Sequence, residues 1–191
     1  MDDLVTLFCE GIRQFDARVA AVTPGDWDKP TPNAEWNVAA LVDHLIDEHL
    51  WMPPLLGGQD LDAAAATVEA KKAASGADPA ADWVDASAAS EQAVVAPGAL
   101  DRDVALSRGP TPASRYLVEM IFDLTVHSWD LGRAIGYEGA LPDALVGFVF
   151  EIASASADEF ASTGAFAPPV PVADDAPMID RLVAVTGRDP R

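Results

Sequence analysis

An all-α fold, a four-helix bundle with long crossover connections and an extended C-terminal segment plus a short helix, is what this sequence predicts. Two observations carry the prediction. Apolar residues recur with helical period through most of the chain, and no convincing repeated strands accompany them. With 191 residues, the chain is long enough for one sizeable core and short for two, so a single domain over 1–191 is expected.

The elements follow in order. Asp2 to about Val22 has helical periodicity and ends in Thr23-Pro24-Gly25-Asp26, a run of turn formers. Residues 26–36 hold two prolines and two tryptophans and read as an ordered loop packed by its aromatics. Asn37 is placed to cap a helix from Val38 to about Leu56, largely buried, with Asp43 and Asp47 marking a narrow solvent stripe. Gly57-Gly58 stops it. The Ala-rich stretch at 60–76 has high helix propensity but little side chain to bury, which makes its order the least determined in the chain. A further helix from about Pro79 to Val95 contains Trp83 and stops at Pro97-Gly98. Leu100 to Pro112 reads as a short extended piece before a turn, and Ser114 or Thr111 can cap the next helix, which runs to Ile135 and stops at Gly136. Another helix spans about Pro142 to Phe160, with proline in its first turn. Gly164 and FAPPVPV force an extended path, and a short helix from Ala176 to Val185 leads to TGRDPR.

Twelve basic against 31 acidic residues give a net charge of -19, which opposes binding to nucleic acid and anionic membranes. Two acidic residues stand where a secretory signal would carry basic ones, and no apolar run approaches membrane-spanning length, so a soluble cytoplasmic protein is expected. Cys9 is the single cysteine, which excludes an intrachain disulfide and a cysteine-based zinc site. It falls among Leu4, Leu7, Phe8 and Ile12 and reads as a small buried hydrophobe.

Chemistry concentrates on the long helix. At about 100° per residue, Tyr116, Met120, Asp123, Leu124, His127, Leu131 and Ala134 share one side of it, so Asp123 and His127 are polar groups one turn apart on an apolar face. Such groups need a hydrogen-bonded, charged or metallic partner. The other two histidines, His44 and His49, sit in LVDHLIDEHLW on the second helix, five apart and about 140° around it, too far to ligate one ion together. Either one, brought against Asp123 and His127, would complete two imidazoles and a carboxylate, a set that suits catalytic zinc or another divalent metal. Periodicity does not choose between them, and it leaves open that Asp123 and His127 form only a structural hydrogen-bonded pair. Glu48 can reach the side of His44 as a general base, a group supporting a ligand, or half of a salt bridge. Tyr116 shares the metal face and is assigned to packing. Trp129 should point off that face, and Asp130 and Arg133 are spaced to pair along the helix. An alternative role for Arg133, three residues on, is contact with a substrate carboxylate.

The combination of AEWNVAALVDHL, DLTVHSWDLGRAIG and the tail FAPPVPVADDAPMIDRLVAVTGRDP resembles the DinB-like superfamily, in particular the mycothiol-dependent maleylpyruvate isomerase N-terminal (metal-binding) domain family of actinobacteria. The resemblance covers nearly the whole chain. It implies a DinB-like bundle with a divalent metal held by one histidine of the second helix and a carboxylate-x-x-x-His pair, which on this sequence are His44, Asp123 and His127, against His49. The characterised isomerase carries Glu where this chain has Asp123, so the metal is open: zinc first, with nickel, iron or manganese as alternatives. The implied chemistry is thiol activation, with mycothiol as co-substrate and an electrophile as acceptor, in an S-transferase or isomerase. A non-catalytic metal or small-molecule binding protein and a metal-dependent hydrolase are the alternatives. A homodimer would suit a bundle with spare apolar surface.

Overall fold

The computed structural model describes residues 2–34, 36–76, 78–156 and 166–191. Helix α1 (Asp2–Val19) buries Phe8, Ile12, Phe15 and Val19, an i, i+4, i+7, i+11 stripe. It ends three residues before the expected Val22, because the amides of Ala21 and Val22 bond the carbonyls three residues back and tighten the last turn. The Asp26 carboxylate then accepts from the Thr23 amide and hydroxyl, closing the turn. Helix α2 (Val38–Leu56) starts as the sequence indicates, with the Asn37 side chain accepting from the Ala40 amide at 2.9 Å.

The Ala-rich stretch forms a helix, α3 (Leu61–Ala74), although it buries only Ala64 and Val68. Its ends explain it. Asp60 caps the Ala63 amide at 2.9 Å, Asp62 occupies the first turn, and Lys71 and Lys72 the last, so charges complement the helix dipole at both ends. Lys72 Nζ also lies 2.5 Å from Asp47 Oδ1, so Asp47, on the solvent stripe expected of it, pairs with α3 in a partly exposed ion pair.

Helix α4 (Pro79–Val94) begins with proline after its cap Asp78 and is followed by a 3-10 turn, Ala99–Asp101. The expected extended piece pairs with itself: β1 (Asp103–Leu106) and β2 (Gly109–Pro112) form an antiparallel hairpin, with Asp103 opposite Pro112 and Leu106 opposite Gly109. Helix α5 (Ala113–Ile135) starts from Pro112 with no side-chain cap. Thr111, expected to cap it, turns its hydroxyl to the Gly109 carbonyl instead. Gly136, at φ 72°, ends α5 as a left-handed C-cap. Helix α6 (Asp143–Ala155) ends with Ser156 as C-cap; the rest of its expected span, and Gly164, fall outside the described residues. Residues 166–177 form neither helix nor strand, and α7 (Met178–Val185) starts two residues later than expected, after Pro177.

The bundle is a ring of four contacts: α1 packs on α5, α5 on α2, α2 on α4, and α4 on α1. Helix α3 packs on α2, while α6 pairs with α7 and rests against α5 and α1. Among the described residues, no helix is long and apolar enough to cross a membrane.

Candidate metal centre

The α2–α5 contact is where the proposed ligands meet. His44 Nε2 lies 3.0 Å from Asp123 Oδ2, and His127 Nε2 lies 3.2 Å from Asp123 Oδ1, so one carboxylate bridges imidazoles from two helices. One ligand atom from each of the three residues falls within 4.8 Å of the others. The His44 and His127 rings are 5.3 Å apart, and the Trp36 indole packs against both, at 4.6 and 5.4 Å. The cluster opens into a cavity of about 650 Å³ that Trp36, Phe166, Thr186 and Arg188 also wall.

His127 is held from its other side as well. Its Nδ1 lies 3.0 Å from Asp130 Oδ2, one turn along α5. Asp130 is fully buried and is in turn clamped by Arg188, whose Nε and Nη2 donate to its two oxygens at 3.2 and 2.9 Å. Arg188 Nη1 donates to the Thr186 carbonyl at 2.9 Å, fixing the guanidinium. This corrects the expected Asp130–Arg133 pair: the buried carboxylate serves His127 and Arg188, while exposed Arg133 lies over the Trp129 ring and bonds the Arg191 carbonyl. Arg133 is therefore outside the cluster's cavity.

Electrostatics follow from this arrangement. Burial alone would push the His127 proton affinity down, but charge and hydrogen bonds from Asp123 and then Asp130 outweigh it and hold the ring protonated. Burial likewise acts to raise the Asp123 carboxyl, and the two imidazoles overcome it, keeping Asp123 far below the usual carboxylate range. With Nδ1–H committed to Asp130, an ion that displaced the Nε2 proton would meet His127 at that nitrogen alone, the one facing Asp123.

The other sequence candidates separate cleanly. His49, left as an alternative to His44, faces α1 and α4: it is fully buried, 5.8 Å from the Phe8 ring and 4.8 Å from the Trp83 ring, with Nδ1 2.7 Å from Ser90 Oγ. Tyr116 is a core residue. Its hydroxyl has no hydrogen-bond partner and lines a second small cavity, about 210 Å³, with Glu48, His44 and Asp123. Burial, and then the charge of Asp123, raise the Glu48 carboxyl above its usual range. Cys9 is partly buried, and its thiol is pushed up to about 11 by burial and then by Glu91, the opposite of a reactive cysteine. Sequence reasoning missed Asp130 as a partner of His127 and missed Arg188 entirely. The i, i+3 spacing of His127 and Asp130 was the one available signal; 58 residues separate Asp130 from Arg188.

The second and fifth helices bring a His/Asp/His cluster to the wall of a cavity, which defines the class: an all-α bundle with a candidate metal centre. Residues 8–132 of the 191 match the family described as the mycothiol maleylpyruvate isomerase N-terminal domain, and the chain belongs to that family. Two uncharacterized proteins of Mycobacterium tuberculosis, from strains CDC 1551 / Oshkosh and ATCC 25618 / H37Rv, are each 28% identical over 183 residues, covering 93% of this chain and 93% of the relative. The fold is similar to the crystal structure of the mycothiol-dependent maleylpyruvate isomerase and to that of a His-to-Ala mutant of it. For each, the TM-score is 0.62 at 17% identity, covering 85% of this chain and 72% of the other.

Proposed function

We propose that this chain binds one divalent metal ion, zinc first, through His44, Asp123 and His127, and uses it with a low-molecular-weight thiol such as mycothiol in an S-transferase or isomerase reaction. The observation that carries the reading is the convergence of three donors of suitable type within 4.8 Å at a cavity of about 650 Å³. The donor set fits a metal on its own chemistry: two imidazole nitrogens and a carboxylate suit zinc, nickel, iron or manganese, and His127 has the carboxylate behind it that ligating histidines usually have.

A bound divalent cation would supply a lowered pKa to a thiol that approaches it, making the thiolate the nucleophile. The protein's own residues do the rest. Asp130 and Arg188 fix the His127 ring; Trp36 and Phe166 form apolar walls that keep water from the reacting atoms. Glu48, with its proton affinity raised, lines the smaller cavity with His44 and Asp123 and is the base assigned to the thiol proton, for a thiol that reaches the cluster from that side. The thiolate sulfur then bonds to one carbon of an activated double bond in the second substrate, whose π pair moves onto the activating group. In a transferase the resulting anion takes up a proton and the adduct is the product; in an isomerase, rotation about the former double bond precedes return of the pair, re-formation of the double bond and loss of the thiolate.

Elemental analysis of protein purified without chelator tests the site, beside His44→Ala and His127→Ala. Stoichiometric metal in the wild type and its loss from both variants is expected; unchanged metal in both overturns it. Thiol-conjugation assays with mycothiol and a panel of electrophiles test the chemistry. Glu48→Gln should keep the metal and lose rate, and full metal without turnover would assign the cluster to binding alone.

A further inference from the structure

A further cavity, about 330 Å³, lies between α1, α5 and the 137–141 connection, separate from the metal centre. It holds a buried cation without a counter-ion among the described residues. Arg18 is 2% exposed, yet its guanidinium meets only neutral acceptors: Nη1 donates to the Gln14 carbonyl and side-chain oxygen at 2.7 and 3.1 Å, and Nη2 to the Gly139 carbonyl at 2.8 Å. Its Nε–H is buried with no partner. One turn before Gly132 on α5, the Ser128 hydroxyl is also fully buried without a partner, and it lines the same cavity. Gly132 makes room for this arrangement, since a Cβ there would stand 3.2 Å from Arg18 Nε.

These facts are hard to reconcile with a purely structural arginine. A buried charge is normally paired, and burial here pulls the guanidinium below its usual range. The carboxylate on the cavity wall, Asp143, is exposed and makes no ion pair with Arg18 among the described residues. The same molecule shows what an arginine's Nε and Nη2 do when an acid is present: Arg188 uses that edge to grip Asp130. In a chain of net charge -19, a cationic cavity is also out of keeping with its surroundings. The exposed Arg133 also lines the cavity, its guanidinium over the Trp129 ring and bonded to the Arg191 carbonyl, while Tyr137, Leu141 and Ile179 supply aromatic and apolar wall.

We propose that this cavity binds a small organic carboxylate, its anionic end on the Arg18 Nε–H and the Ser128 hydroxyl and its apolar body against Tyr137, Leu141 and Ile179. The preference for a carboxylate over phosphate rests on the single buried cation, Arg133 being exposed, and on the apolar walls.

Calorimetric titration of the full chain with hexanoate, benzoate and inorganic phosphate tests it, on wild type, Arg18→Met, Arg18→Lys and Ser128→Ala. Saturable binding of one or both carboxylates to the wild type is expected, at least about tenfold weaker in Arg18→Met and several-fold weaker in Ser128→Ala. Arg18→Lys keeps the charge but lacks the Nε–H, so it too should bind more weakly, and it decides the question with Ser128→Ala if Arg18→Met fails to fold. Metal content should not change in Ser128→Ala, which separates this site from the metal centre. No carboxylate binding at tens of millimolar, equal binding by wild type and the Arg18 variants, or binding of phosphate alone would overturn the proposal.

Discussion

His49 shows what burial does to an imidazole with no charged partner. Enclosed by Phe8 and Trp83, its proton affinity is pushed down to about 3 by burial, so it stays neutral in the folded protein. The unfolded chain binds a proton near 6.5 that the folded chain refuses, so stability must fall as pH drops from about 6.5 toward 3. The slope from this residue approaches about 1.4 kcal/mol per pH unit. Between pH 7 and pH 5, urea denaturation should show wild type and His49→Phe diverging by roughly 2 kcal/mol, with wild type losing more on acidification; a variant with the same pH dependence as wild type would locate the effect elsewhere. His127, with carboxylates at both nitrogens, shows the opposite behaviour from the same side-chain type. There, Asp130→Asn removes the carboxylate that orients the ring. Metal affinity, measured by competition with a chromophoric chelator, should fall by about 10- to 100-fold while the circular dichroism spectrum is kept.

Helices α1 and α5 touch closely enough that a single added side chain matters. A Cβ at Gly11 would meet Leu124 side-chain atoms at 3.1 and 3.2 Å, and Leu124 is itself fully buried directly after Asp123. Gly11→Val should overpack this contact and cost about 1–3 kcal/mol in urea unfolding; a stability equal to wild type would mean that the two helices can separate freely. The helices themselves were legible because their signals are local: Asn37 caps α2, Pro79 opens α4 and Gly136 stops α5, each as its residue type predicts. The hairpin at 103–112 was half legible, an extended piece and a turn without its pairing, because four-residue strands carrying two prolines show no alternation to read. Helix α3 was uncertain because its apolar face is nearly all alanine, and it was the ends, Asp60 and Lys72, that settled it.

At the scale of the whole molecule, a metal held between α2 and α5 would tie two sides of the bundle ring together and stabilise the folded state by mass action. Adding zinc to chelator-treated protein at about a hundred times its dissociation constant should raise unfolding stability by roughly 2.7 kcal/mol, an increment absent from His127→Ala. Equal response in both proteins would show that zinc acts elsewhere. The sequence by itself determined the class of fold, the placement of the long helices and the polar pair Asp123–His127, because periodicity, caps and spacing within one helix are properties of neighbouring residues. Spacing along the chain did not choose the histidine of α2 that meets that pair; the resemblance implied His44, and the tertiary structure supplies the reason, since His44 and His49 both lie on the buried arc and each faces a different neighbour. Only the tertiary structure decided that Arg188 closes on Asp130 and that Arg18 has no counter-ion among the described residues. Charge compensation in a protein interior is settled by what packs alongside, and no local pattern along the chain records it.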